Sequence, residues 1–327
     1  MNQPLKLAIF GCGDFLRWQS GDLKRSDLVA VSALYDPDTA KAEKFAAELG
    51  GSVVTDSDSI FADPEIDAVA LFVPPWIRKD LFLKAAQAGK HIIATKPLGA
   101  HGSDCSAMIQ AAEESGIRAG VIYSRTGDAA IEALKDVFES GPYGQLALYR
   151  HDWLHAYPQW NAWATDPEKN GGPFMDAMIH NLNAACYLMG REVTGSTFFS
   201  DRLAHPDLKC ADTESMVVNF ANNGLANCFI TWAADLASND TSGNNREHID
   251  IFYLVTDKGY HLSLADEQGQ PRIRVTREGE VELLPIPPLG QTHYDAFASH
   301  CAGADFPRML ASLEEAARDI QLVRREE

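Results

Sequence analysis

The chain has no apolar run near the ~18 residues that a membrane-spanning helix requires, which excludes such a helix. Its start, Met1-Asn-Gln-Pro-Leu-Lys-Leu-Ala-Ile-Phe10, runs straight into a strand and lacks a signal peptide's long apolar region and cleavage site. The six cysteines (12, 105, 186, 210, 228 and 301) lie far apart, with no Cys-x-x-Cys and no paired spacing. That argues against zinc or another metal and against a disulfide framework; reduced thiols in a cytoplasm are expected. Basic residues are scarce: 28 Lys and Arg against 46 Asp and Glu, a net charge of −18. Nucleic acid and anionic membrane surfaces are therefore poor partners. Repeats and low-complexity linkers are also missing.

What remains is a soluble composition, 46% hydrophobic and 23% charged, in 327 residues, enough for two ordinary domains. Over residues 1–123, short apolar strand-like runs (5–10, 28–34, 53–55, 68–73, 91–95 and 118–123) alternate with Ala-, Lys- and Glu-rich segments of helical spacing (38–49, 76–88 and 103–115). Such alternation predicts parallel strands with right-handed crossovers, a doubly wound α/β sheet of Rossmann type. Runs apolar throughout, such as Ala68-Val-Ala-Leu-Phe-Val73, suit central strands buried on both faces.

The first strand ends in Gly11-Cys12-Gly13-Asp14-Phe15-Leu16. The early glycines match the dinucleotide fingerprint: one for a sharp turn, one so that backbone can approach a pyrophosphate at a helix N-terminus. Its third position, normally Gly or Ala, is Leu16. The second strand ends at Asp36, where a carboxylate would accept hydrogen bonds from an adenosine ribose and repel a 2′-phosphate, favouring NAD over NADP. Asp36-Pro37-Asp38 equally suits the cap of the next helix, and both roles fit one loop edge. Downstream, Ala88-Gly-Lys-His-Ile-Ile-Ala-Thr-Lys-Pro-Leu98 places Lys96 at the carboxyl end of a strand, where ligands of such sheets sit, with Pro97 restricting its backbone.

From residue 124 the pattern changes to a helix at 127–140, a strand at 145–153, a helix at 174–189 and mostly strand-like sequence to 284. Asn222-Asn223-Gly224 and Asp257-Lys-Gly259 mark hairpins, predicting a largely antiparallel open sheet in a second, α+β domain. Within Gly171-Gly-Pro-Phe-Met-Asp-Ala-Met-Ile-His180, a glycine turn feeds a helix on which Asp176 and His180 share a face. A carboxylate there can hold an imidazole in one tautomer and leave its other nitrogen for proton transfer. Trp153, His155, Tyr157, Trp160 and Trp163 precede that helix; they suit a sugar-ring face or the pinning of a long loop.

Taken together, the glycine turn at 11–13, Ala-Gly-Lys-His before Lys96-Pro97, Arg125 after Tyr123-Ser124, and Gly171-Gly172 with Asp176 and His180 resemble the glucose–fructose oxidoreductase, inositol dehydrogenase and rhizopine-catabolism (Gfo/Idh/MocA) family over nearly the whole length. The resemblance implies an NAD-binding domain at 1–123 and a substrate and oligomerisation domain at 124–327, whose last helix (307–323) packs near the first. It implies Lys96, Asp176 and His180 as the catalytic group. Cofactor contacts are expected from Gly11, Cys12, Gly13, Asp14, Phe15, Asp36, Pro74, Trp76, Thr95, Lys96 and Arg125. Substrate contacts are expected from Lys96, Arg125, Trp153, Trp160, Trp163, Asp176 and Asn183. It also implies a homodimer or homotetramer through the open sheet face.

Four features depart from the family pattern. Thr95 replaces a glutamate and Leu16 a third glycine. Pro74-Pro75-Trp76-Ile77-Arg78 stands where a Pro-Asn pair and, three residues later, a histidine are usual, and Asn183 stands in place of an aspartate. The expected activity is hydride transfer between nicotinamide and a CH–OH carbon of a sugar, sugar derivative or cyclic polyol. His180, oriented by Asp176, would take the hydroxyl proton while Lys96 stabilises alkoxide charge. Two rivals stay open: an NAD-assisted glycoside-cleaving or epimerising enzyme, and a non-catalytic nucleotide-binding sensor or repressor.

Overall fold

The computed structural model describes residues 3–156, 163–234, 236 and 247–325. The chain divides into two compact units: the first runs to Tyr123 and resumes at Leu289, and the second is Ser124–Pro288.

In the first unit six strands, β1 (Leu5–Phe10), β2 (Val29–Tyr35), β3 (Ser52–Val53), β4 (Ala68–Leu71), β5 (His91–Thr95) and β6 (Ala119–Ile122), form a parallel sheet in the order β3-β2-β1-β4-β5-β6. The crossovers carry α1 (Asp14–Arg25), α2 (Thr39–Leu49), α3 (Ser57–Ala62), α4 (Pro75–Gln87) and α5 (Gly102–Ser115). Every residue of β4 is buried, as its unbroken apolar sequence requires of a central strand. The strand order reverses between β1 and β4, the switch point at which such sheets open a crevice at their carboxyl ends. Leu16, the departure from the glycine fingerprint, is fully buried and packs in the core with Leu7, Ile9, Leu34 and Phe72. Helix α1 thus meets the sheet through a leucine rather than through backbone contact.

The second unit holds α6 (Ala129–Ser140), β7 (Leu146–His155), a π-helical turn (Phe174–Met178) running into α7 (Ile179–Met189), and β8 (Val193–Asp201), β9 (Thr213–Phe220), β10 (Gly224–Thr231), β11 (His248–Thr256), β12 (His261–Glu267), β13 (Gln270–Arg277) and β14 (Glu280–Pro285). Its eight-stranded sheet has the order β14-β13-β12-β11-β7-β10-β9-β8. Asn222 and Asn223 both take left-handed backbone (φ 60° and 66°), the geometry of the tight β9–β10 hairpin. One pair is parallel, β10 on β7, because β10 returns beside a strand far back in sequence. Helix α7 packs on β7 and β10.

The expected single helix at 174–189 is therefore two pieces, a π turn and then α7. The expected helix at 307–323 is shorter: α8 (His293–Cys301) precedes it, and α9 spans Leu313–Arg324. Its start is set by a reciprocal capping box between Ser312 and Glu315. The segment from Leu289, counted with the second domain in the sequence, belongs to the first unit. Ala311 exchanges two backbone hydrogen bonds with Val121 of the edge strand β6, which ties it there. Among the described residues no helix is long and apolar enough to cross a membrane.

Leu16→Ala would leave a cavity between α1 and the sheet. A loss of about 2–5 kcal/mol in unfolding free energy is expected by urea denaturation.

Candidate functional site

The glycine turn closes against β4. Gly11 has φ +93°, and a Cβ there would lie 2.5 Å from the Phe72 carbonyl oxygen, so no other residue fits. At Gly13 a Cβ would meet nothing within 4 Å. Gly13 is also the N-cap of α1 and has no side chain with which to cap the first turn. This open cradle at a helix N-terminus fits a pyrophosphate. Asp36 flanks it at the end of β2: Oδ2 accepts from the Cys12 amide (2.8 Å) and Oδ1 from the Asp38 amide (2.9 Å). The carboxylate is thereby fixed beside the turn, where a ribose would lie. Burial, aided by Asp36, pushes the Cys12 thiol up to about 12, so it stays neutral. Asp14 pairs with Arg17 at 3.5 Å, and the Phe15 ring packs edge-on against Phe72 (4.9 Å) on the apolar side of the turn.

At the ends of β4 and β5 stand the other residues expected at the cofactor. Pro74 is the N-cap of α4, with Pro75 in its first turn, and Trp76 is half-buried. Thr95 ends β5, buried, and its hydroxyl has no hydrogen-bond partner among the described residues. The Lys96 amide donates to the Ile122 carbonyl (3.2 Å), and its side chain is half-buried.

In the second unit Gly171 and Gly172 (φ +84° and +119°) turn the chain into the π-helical segment. The Phe174 amide donates to Oε2 of buried Glu214 (2.7 Å), whose Oε1 accepts from Ser200 Oγ (3.1 Å). A carboxylate at this helix start satisfies a free amide and complements the helix dipole. Asp176 Oδ1 accepts from Asn170 Nδ2 (3.2 Å). Three consecutive residues then grip the start of α7. The Ser124 amide donates to His180 Nδ1 (3.0 Å), Arg125 Nε to Asn181 Oδ1 (3.0 Å), and Thr126 Oγ1 to Asn183 Oδ1 (2.5 Å). A backbone amide can only donate, so neutral His180 carries its hydrogen on Nε2 and presents a donor from that side. Glu214 and Thr126 carried no sequence signal and nothing in the sequence tied Ser124 to His180, because the partners lie 40, 57 and 56 residues away.

Arg125 and Asn183, expected at cofactor or substrate, thus have bonds inside the second unit. Arg125 Nη2 also reaches Asp250 Oδ2 (3.1 Å), and His151 Nε2 lies 2.7 Å from Asp250 Oδ1. These groups line a cavity of about 200 Å³ with Tyr149, Asn181 and Phe252. Trp153 is half-buried, its ring 5.0 Å from that of His155, and Trp163 is half-buried. Trp160 and Tyr157 lie outside the described residues. Lys96 belongs to the first unit, and Asp176, His180, Arg125 and Asn183 to the second.

Burial holds the His151 imidazole below its ordinary value, although Asp250 and Asp152 pull the other way; Arg125 reinforces the shift. His91 is lowered by burial too. A depressed histidine pKa means that the unfolded chain takes up the proton first, so stability is full above about pH 6.5 and is lost as pH falls through the folded value. The melting temperature should drop between pH 7 and 5, and the drop should be shallower in His151→Gln, measured by circular dichroism.

The first unit matches the oxidoreductase family profile with an NAD-binding Rossmann fold over residues 5–123, and residues 131–250 match the GFO/IDH/MocA C-terminal domain. The chain is 30% identical over 199 residues to scyllo-inositol 2-dehydrogenase (NAD(+)) of Bacillus subtilis, covering 59% of this chain and 56% of that protein. It is 28% identical over 229 residues to an uncharacterised oxidoreductase of Streptococcus pneumoniae, covering 68% and 61%. The matches thus span about 56% and 61% of those relatives' lengths. Its fold superposes on an aldose-aldose oxidoreductase of Caulobacter crescentus complexed with glycerol, with a TM-score of 0.82, 19% identity and 99% and 96% of the two chains covered. With both halves matched in order on a parallel six-stranded sheet followed by an eight-stranded, mostly antiparallel one, the chain belongs to the Gfo/Idh/MocA oxidoreductase family.

Proposed function

We propose that the protein is an NAD-dependent oxidoreductase acting on a CH–OH group of a sugar, sugar derivative or cyclic polyol. The observation that carries this reading is the imidazole of His180, held through Nδ1 by the Ser124 amide so that the neutral ring carries its hydrogen on Nε2. The uncapped start of α1 above Gly13, with Asp36 fixed at its side, supports the cofactor. NAD is favoured because an anchored carboxylate beside the ribose position repels a 2′-phosphate.

The nicotinamide, when bound, supplies the hydride chemistry. His180 Nε2–H donates to the reacting oxygen and holds it in place. Taking a proton at Nε2 would require the ring to give up the Ser124 bond or to become a cation against an amide hydrogen. In the oxidation direction the hydroxyl proton therefore passes to the Lys96 amine, and the resulting ammonium stabilises the oxygen in the reverse direction. Asp176, anchored by Asn170, completes the polar group at the start of that helix. The proposed catalytic group is the one the family resemblance implies, with the proton assigned to Lys96 because the Ser124 amide occupies His180 Nδ1.

The open sheet face supports a homo-oligomer. Phe199, Ile249 and Ile251 stand on it 51%, 47% and 46% exposed, and the strand registers place Ile251 and Phe199 in one row with Phe229 between them. Ser215 and Asp152 fill the same row, so the apolar side chains alternate with polar ones there; exposed apolar side chains gathered on one sheet face mark protein interfaces.

NADH formation should appear in a panel of aldoses, inositols and other polyols, faster with NAD than with NADP. Lys96→Ala and His180→Ala should each lose ~100-fold or more. His180→Gln, which keeps a donor but cannot shuttle a proton, should stay within about tenfold of wild type. Near wild-type turnover in both alanine variants, or a clear preference for NADP, would overturn the reading. Light scattering after gel filtration should show a dimer or larger species, shifted toward monomer by Ile251→Glu.

A further inference from the structure

Arg78 on α4 is 1% exposed. Its Nη1 donates to the carbonyls of Pro97 and Leu98, the latter at 3.1 Å, and its Nη2 donates to the carbonyl of Val73. Val73 lies in the loop that follows β4, and Pro97 and Leu98 lie in the loop that follows β5. One guanidinium therefore spans both loops. Among the described residues the groups that act on its charge are the Cys105 thiol and the Tyr123 hydroxyl, neither of them a carboxylate, and burial lowers its pKa to about 9, which leaves it cationic at neutral pH.

A buried cation without a carboxylate is costly, and an apolar side chain of similar volume would usually stabilise a core as well or better. Charge-assisted bonds to carbonyls offset the cost only while all the acceptors are held in place. The rest of the β5 loop is pinned as well. A Cβ on Gly99 would come within 3.2 Å of Asp104 Cβ and Cys105 Sγ on α5, and the Ala100 carbonyl accepts from Arg324 Nε of α9 at 3.2 Å. Lys96 sits directly before this segment, its own amide bonded to Ile122. Its backbone is therefore fixed on both sides, and the Arg78 side chain links this segment to the neighbouring loop.

We propose that Arg78 is a positioning residue: by tying the loop after β4 to the loop after β5 it sets the direction in which Lys96 leaves the sheet relative to Pro74 and Trp76. The proposal rests on the reading of Lys96 as the group that works at the reacting oxygen. Misplacing such a group by about 1 Å can cost on the order of 100-fold in rate.

The test uses the full chain, NAD and the fastest sugar or polyol of the panel above. Arg78→Ala should lower kcat roughly 10- to 100-fold with KM within about threefold, and methylguanidinium at millimolar concentration should restore at least part of kcat. A merely structural role would not produce that chemical rescue in molecules that circular dichroism shows to be folded. Should Arg78→Ala fail to fold, Arg78→Lys keeps the charge but cannot span three carbonyls, and the same loss of kcat is expected in a folded protein. Hydrogen-exchange mass spectrometry should show faster exchange at 98–100 in either variant, with β1 and β2 unchanged. Wild-type kcat in a folded variant, or unaltered exchange at 98–100, would overturn the proposal. If instead Lys96→Ala keeps its turnover, the catalytic reading of Lys96 falls, while the exchange measurement still decides whether Arg78 clamps the two loops.

Discussion

A parallel sheet releases backbone amides and carbonyls at its carboxyl edge, and the candidate site depends on how side chains take them up. In the first unit Asp36 accepts from the amide of Cys12 in the glycine turn, and Arg78 donates to three carbonyls in the loops after β4 and β5. In the second unit Glu214 takes the amide that opens the helix carrying Asp176, and His180 itself accepts from Ser124. Asp36 and Glu214 are each engaged through both carboxylate oxygens, and Arg78 through both Nη atoms. Satisfying the backbone and shaping the site are here the same act.

The architecture was legible because it is written in periodicity. Unbroken apolar runs such as 68–71 mark strands buried on both faces, and the Asn-Asn-Gly turn marks its hairpin by the backbone it demands. The glycine turn was legible for the same kind of reason, since Gly11 has no tolerance for a Cβ. Leu16 looked like a defect in a fingerprint and is instead a core residue.

What stayed hidden depends on partners remote in sequence. Nothing around Ser124 announces a bond to a histidine 56 residues on, and Arg125 carries no mark of Asp250, 125 residues away. Hairpin signals describe neighbours only, so the parallel pairing of β10 with β7 left no trace. The return of the tail to the first unit was expected only through the family resemblance; two backbone bonds at Val121 tie it there, and a capping box at Ser312 starts its last helix. In the site, the spacing of Asp176 and His180 was visible, but the group that holds the imidazole is a main-chain amide, which no side-chain pattern can encode.

The double engagement of Asp36 bears on how cofactor preference can change in such a chain. A substitution that removed the side-chain oxygen along with the negative charge would strip the glycine turn of an acceptor for the Cys12 amide. The two properties are coupled at one carboxylate, so the accessible mutational path runs through residues that keep an oxygen there, such as asparagine or serine, with a cation supplied from a neighbouring position. Direct replacement by an apolar or basic residue would leave the Cys12 amide of the glycine turn without this acceptor.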